Sequence, residues 1–187
     1  MAILKIARMG HPVLATVARP VPDPTAPEIR RLVNDMIETM IDANGAGLAA
    51  PQVHVPLRVV IFQAPPERSE GNKDDPAPDE AERFDHTAPL TGLINPEIAV
   101  MGPEQEGGWE GCLSVPGLRG YVERPSHIRY RGLGLDGKLV ERSARGFHAR
   151  VVQHECDHLD GKLYPSRMTD MSRLVFESEL RHLQETE

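Results

Sequence analysis

Apolar positions follow two rhythms along the chain. In "TAPEIRRLVNDMIETMIDANG", Ile29, Leu32, Val33, Met36, Ile37, Met40 and Ile41 recur at i, i+3 and i+4, the spacing of one helix face. Thr25 and Glu28 have the spacing of a capping box, Pro27 suits a first turn, and Asn44-Gly45 ends the pattern. Shorter β-branched runs follow: "LRVVIF" (57–62), "LTGLIN" (90–95), "EIAVMG" (97–102), "LRGYVE" (118–123) and "HIRYRG" (127–132). "LGLDGKLVER" (133–142) predicts a hairpin around Asp136-Gly137. Helical spacing then returns. Phe147, Val151, His154 and His158 form one stripe, and Val152, Cys156 and Leu159 a second. A helix apolar on both sides is buried. Gly161 and Pro165 stop it, and a last helix is expected from about 170 to 184. Short antiparallel strands around two or three helices read as an α+β fold.

One stretch has neither rhythm. "QAPPERSEGNKDDPAPDEAERFDHTAP" (63–89) is rich in proline and charge and reads as a surface loop inserted into a single domain over 1–187. Its composition predicts that about 67–85 can be replaced by a short Gly/Ser linker with the fold retained. The net charge of -7 argues against nucleic acid as the main partner, since phosphate contacts are made by clustered Lys and Arg. No apolar run approaches a membrane span, and "MAILKIARMG" lacks the apolar region of a signal peptide. The expectation is therefore a cytoplasmic protein, or the mature form of an organelle protein. The two cysteines, Cys112 and Cys156, read as thiols or ligands rather than as a disulfide.

The buried helix is where chemistry enters. In "VVQHECDHLDG", His154 and His158 lie four apart and aim at one point, with Glu155 beside it. This is the H-E-x-x-H arrangement, two metal ligands and a carboxylate placed to move a proton. Two buried imidazoles need partners, and a metal ion supplies them. A catalytic ion usually takes three protein ligands and keeps one position open. The metzincin pattern puts a third histidine where this chain has Tyr164. Two candidates remain. Glu177 or Glu179, on the expected last helix, would make a thermolysin-like peptidase. Cys112, in "GGWEGCLSVPG", would make a Cys-His-His site, unless it is a small buried apolar residue, the common fate of a free cysteine. A closed structural site with a fourth protein ligand is a third reading, but it has no use for the glutamate. Upstream, "GAGLAAPQ" (45–52) combines two glycines, which allow close backbone approach, with the Gln52 amide.

Taken together, "GAGLAAPQ", "EGCLS" and "QHECDH" resemble, in order, the three signature motifs of the peptide deformylase family. "MGHPVLATVA" and "LDGKLYPSRM" extend the resemblance over most of the chain. The resemblance implies an α+β fold in which antiparallel strands surround a central helix carrying the H-E-x-x-H. It implies removal of the formyl group from the N-terminal methionine of new polypeptides, with release of formate. Carried over residue by residue, it makes Cys112, His154 and His158 the ligands of one divalent ion per chain, typically Fe²⁺, with Zn²⁺, Ni²⁺ or Co²⁺ able to take its place. Glu155 becomes the general base and acid. The Gln52 amide and the Leu113 N–H become oxyanion donors, and backbone groups of Ala46, Gly47 and Gly111 hold the formyl-Met peptide as an added strand. Cys156 is read as core. Two departures stand out. Ala46 occupies a position where a bulkier aliphatic is common, which widens the pocket rim. The C-terminal "SRLVFESELRHLQETE" is acidic, whereas the helix by which some bacterial members dock on the ribosome is basic.

Overall fold

The computed structural model describes residues 2–66 and 85–184, with side chains to 182. Residues 67–84, the centre of the expected loop, lie outside the described residues. The order of elements is α1 (Pro27–Asp42), β1 (Gly47–Ala49), β2 (Val59–Ala64), β3 (Ala88–Val100), β4 (Gln105–Cys112), β5 (Val115–Pro125), β6 (His127–Leu133), β7 (Leu139–Arg145), α2 (Gly146–Leu159), β8 (Leu174–Phe176) and α3 (Arg181–Gln184), with short 3-10 turns between some of them. A five-stranded sheet runs β1-β2-β3-β6-β7 and a three-stranded sheet β4-β5-β8. All pairings between these strands are antiparallel, so the α+β expectation holds.

Strand β2 of the larger sheet is buried on both faces. Along β2, Val59 and Ile61 join the cluster of Val33, Met36 and Met40 from α1, and Val60 and Phe62 join that of Val152 and Leu159 from α2. All four β2 side chains are fully buried, which accounts for an unbroken apolar run where a half-exposed strand would alternate. Helix α2 is inside the molecule: every residue from His148 to Leu159 is buried, Cys156 among them.

Local differences from the sequence reading have identifiable causes. The capping box of α1 does not form. Asp23 Oδ1 instead accepts from the Thr25 hydroxyl at 2.7 Å and its N–H at 2.9 Å, and Ala26 stands at the cap. The runs 90–95 and 97–102 belong to a single strand, β3, whose register shifts between Ile94 and Glu97. Asn95 takes φ +52° there, and its amide bonds both backbone groups of Val21, at 2.8 and 3.0 Å. A side chain from the bulge thus secures a segment 74 residues away. The glycine-rich "GGWEGC", which carried no strand signal in the sequence, lies in strand β4. An ideal Cβ on Gly108 would lie 2.8 Å from the Arg150 guanidinium carbon, so this glycine leaves room for an arginine. Among the described residues the last helix covers Arg181–Gln184 and starts later than expected, because Leu174–Phe176 pairs with Leu118–Gly120 as β8.

Both ends of the expected loop also differ. Gln63 and Ala64 complete β2, and Ala88 and Pro89 begin β3. Asp85 is bound to the core, since its carbonyl lies 2.7 Å from His148 Nδ1, and a deletion must leave it in place. His148 is fully buried, and its Nε2 lies 3.2 Å from the Tyr130 hydroxyl. Burial pushes its pKa down from 6.5 to about 4. The folded protein therefore binds fewer protons here than the unfolded chain between those values, and stability falls as pH drops through that window. His148→Gln should remove this part of the slope. Urea unfolding of both proteins at pH 7 and pH 4.5 should show the wild type losing about 2–3 kcal/mol more than the variant.

Candidate active site

The candidate ligands converge from two elements. Cys112 ends β4, where the register against β5 shifts between Glu110 and Cys112. His154 and His158 project from α2. Their donor atoms and Cys112 Sγ all lie within 4.8 Å of one another, and His158 Nε2 is 3.3 Å from the sulfur. A tetrahedral ion with one sulfur and two nitrogen ligands sets its donors about 3.3–3.7 Å apart, so a small contraction closes the set. The donor chemistry fits an ion as well. His154 Nδ1 is engaged with Glu110 Oε2 at 2.8 Å, which leaves Nε2 for the centre of the group. The sulfur is approached by the N–H groups of Gln52 and Ser114, both at 3.4 Å, as suits a thiolate.

Glu155 is 4% exposed, and burial raises its pKa to about 7. One carboxylate oxygen, Oε2, has no hydrogen-bond partner. Its Oε1 lies 2.3 Å from where a Cβ on Gly47 would be, so only glycine at 47 leaves room for the carboxylate. Gln52 sits in the 3-10 turn after β1. Its Oε1 accepts from the Ala49 N–H at 2.8 Å, which turns its NH₂ towards Cys112 and Ser114.

These groups open onto a cavity of about 630 Å³. Ala46, Gly47, Gln52, Gly111, Cys112, Leu113, His154 and Glu155 all line it. Every site residue expected from the sequence is therefore at this cavity, except His158, which lies behind it. β1 and β4 are each the outer strand of their sheet, and both border the cavity. Two strand edges facing one cleft are suited to an extended peptide. Glu179 is elsewhere. Glu177 is not a ligand: it stands at the cavity rim, its carboxylate bound to Arg119.

The sequence reading missed the charged scaffold behind the ligands. Glu110, 4% exposed, meets Arg124 through two bonds of 2.6 and 2.9 Å and Arg150 at 2.9 Å. Arg124 continues to Asp157 at 2.9 Å, and Arg167 closes on Asp157 from outside. Burial alone would raise the Glu110 pKa; the bonds from Arg124 and His154 outweigh it and hold the carboxyl well below its usual range. A charged, fixed Glu110 orients the His154 ring, the usual second partner of a metal-binding imidazole. Tyr164 stacks on the same ring, at 6.2 Å between centroids. Part of the signal was present, because Glu110 and Asp157 lie inside "EGCLS" and "QHECDH", and Asp157 is on a helix with no solvent face to give it.

Known proteins similar to this chain fall in one family. The family described as polypeptide deformylase matches residues 3–174. Peptide deformylase 1 of Bordetella pertussis is 52% identical over 171 residues, covering 91% of this chain and 90% of the relative. Among solved structures, peptide deformylase from Ehrlichia chaffeensis superposes with a TM-score of 0.79 at 32% identity, covering 98% of this chain and 96% of that one. A Met-Ala-Ser-bound class I type b peptide deformylase from Acinetobacter baumannii gives 0.75 at 36%, covering 89% and 98%.

The scaffold separates two effects. Arg124→Met should lower stability by about 3–5 kcal/mol, because Glu110 and Asp157 stay buried with less compensation; urea unfolding reads it. Glu110→Gln keeps an acceptor for His154 and loses the charge. Its affinity for a divalent ion should fall by about 10–100-fold in competition with a chromophoric chelator.

Proposed function

The chain belongs to the peptide deformylase family, whose members are metal-dependent and remove the N-formyl group from nascent peptides, and we propose that it does so as one catalytic domain through Cys112, His154, His158, Glu155, Gln52 and Leu113. The observation that carries the assignment of residues is the convergence of one thiol and two imidazoles within 4.8 Å, beside a buried carboxyl and at the floor of a cleft between two strand edges.

In this reading Cys112, His154 and His158 hold a divalent ion, Fe²⁺ physiologically, with Zn²⁺, Ni²⁺ and Co²⁺ accepted by the same donors. Bound there, the ion supplies Lewis acidity and brings the pKa of water towards neutrality. The remaining chemistry belongs to the chain. Backbone groups of Ala46, Gly47 and Gly111 hold the peptide extended, with the methionine side chain in the cavity beside Phe147 and Val151. As water adds to the formyl carbon, Glu155 takes its proton, and a carboxyl with a pKa of about 7 is suited to accept and return one. The carbonyl oxygen gains charge and is met by Gln52 Nε2 and the Leu113 N–H, donors of a kind worth about 10²–10³ each in rate. Glu155 then gives the proton to the methionine nitrogen, the C–N bond breaks, and formate and a free amine leave.

A nascent formyl-Met substrate supports a cytoplasmic protein or the mature form of an organelle protein, and no helix among the described residues is long and apolar enough to cross a membrane. The described residues from Met171 to Gln184 form 3-10 turns, β8 and the four-residue α3, and the acidic composition of "SRLVFESELRHLQETE" argues against ribosome docking through a basic helix.

Metal content separates this reading from a peptidase that uses a glutamate ligand. Cys112→Ala should lose most of its bound metal. Glu155→Ala should retain about one ion per chain while activity falls about 10²–10⁴-fold. Glu179→Ala should change neither. Formyl-Met-Ala-Ser should be hydrolysed far faster than acetyl-Met-Ala-Ser, because the buried site leaves space for hydrogen rather than methyl on the attacked carbon. A Cys112→Ala protein with full metal content and normal deformylation would sink the assignment.

A further inference from the structure

The charged side chains lining the cavity are of two kinds. Glu110, Arg150, His154 and Glu155 are buried and belong to the scaffold or the site. Arg119 and Glu177 are at the mouth, with side chains 36% and 55% exposed. Arg119 lies on β5 and Glu177 follows β8, and the pairing of these strands brings the two together. Arg119 donates from Nε to Glu177 Oε1 at 3.1 Å and from Nη2 to the same oxygen. Its Nη1 lies 2.5 Å from where a Cβ on Gly111 would be, so the guanidinium rests against one of the residues read as holding the peptide backbone.

We propose that the Arg119–Glu177 pair neutralises the cavity mouth towards the third residue of the peptide, with Glu177 the member that keeps the enzyme indifferent to that residue's charge. The inference rests on the deformylase reading and deepens it. In an extended peptide, residues i and i+2 point to the same side. If methionine enters the cavity, the third side chain rises along the same wall, past Gly111, to the mouth. There it meets a cation neutralised by its own partner. The pair presents no net charge and leaves the enzyme indifferent to the sign of the third residue, which suits an enzyme that must process nascent chains of every sequence. Glu177 achieves this by holding the Arg119 charge; without it the mouth is cationic, and without Arg119 it is anionic.

The test uses metal-loaded protein and formyl-Met-Ala-X-amide with X as Glu, Gln or Lys. The wild type should give kcat/KM values for Glu and Lys within about twofold of each other. Glu177→Gln should favour the Glu peptide and disfavour the Lys peptide about threefold each, so their ratio moves about tenfold. Arg119→Gln should move the ratio by a similar factor the other way. Glu179→Gln, away from the cavity, should leave it unchanged. Both shifts should collapse in 1 M salt, where screening acts within about 3 Å. A merely structural role lowers rates on all three peptides together and moves no ratio. An unaltered ratio in both Glu177→Gln and Arg119→Gln, with the Gln peptide still hydrolysed by the wild type, overturns the neutralising role and leaves the deformylase reading intact. Failure of the wild type to hydrolyse any of the three overturns the reading itself.

Discussion

Helix α2 lies inside the protein and yet carries His148, Arg150, Gln153, His154, Glu155, Asp157 and His158. Burying a polar group without a partner costs several kcal/mol, and burying a charge costs more, so each of these side chains constrains what surrounds it. His148 takes the Asp85 carbonyl and the Tyr130 hydroxyl. Gln153 bonds the carbonyls of Ala149 and Pro125. Arg150 and Asp157 are drawn into the network around Glu110 and Arg124. The small sheet is therefore joined to the central helix by ions and hydrogen bonds as much as by apolar contact. Glu155 Oε2 and His158 Nδ1 are left without partners, beside the candidate ligands, where substrate and ion chemistry belong.

What the sequence made legible follows the strength of each local signal. Helix α1, the buried α2 and strands β2, β5 and β6 were readable because hydrophobic period and burial agreed in them, and β7 because Asp136-Gly137 marks its hairpin with β6. The site was readable because its three motifs carry unusual residue types at fixed spacing. Strand β4 was not, because glycines at 107, 108 and 111 weaken a strand when read alone. Their reason is tertiary: Tyr121, Arg150 and Arg119 occupy the space that side chains there would need. The Thr25–Glu28 box failed through competition from Asp23, which a spacing rule cannot weigh. Leu174–Phe176 became an edge strand because β5 offered pairing that a local helical preference could not match.

The proline and asparagine of β3 show the same division. Read locally, Asn95-Pro96 breaks a strand in two. In the fold the break is a bulge, and Asn95 spends its amide on Val21, securing the approach to α1. Local punctuation was seen correctly, but its use depends on a segment far away in sequence. Glu110 is a parallel case at the site, since its role is set by Arg124, Arg150 and His154, none of which is a sequence neighbour.

Cys112 and His158 are separated by 46 residues, and Gln52 and Cys112 by 60. No segment of this chain carries the site; it comes into being when β4 docks on α2. Long-range contacts of this kind are made late, after the entropy of closing the intervening loops has been met. An ion that binds the assembled group and not the extended chain then acts as a latch on a finished topology. It lowers the population in which β4 has left α2 by mass action. Catalytic competence and completed folding thus coincide, and a half-folded chain has nowhere to hold either metal or peptide.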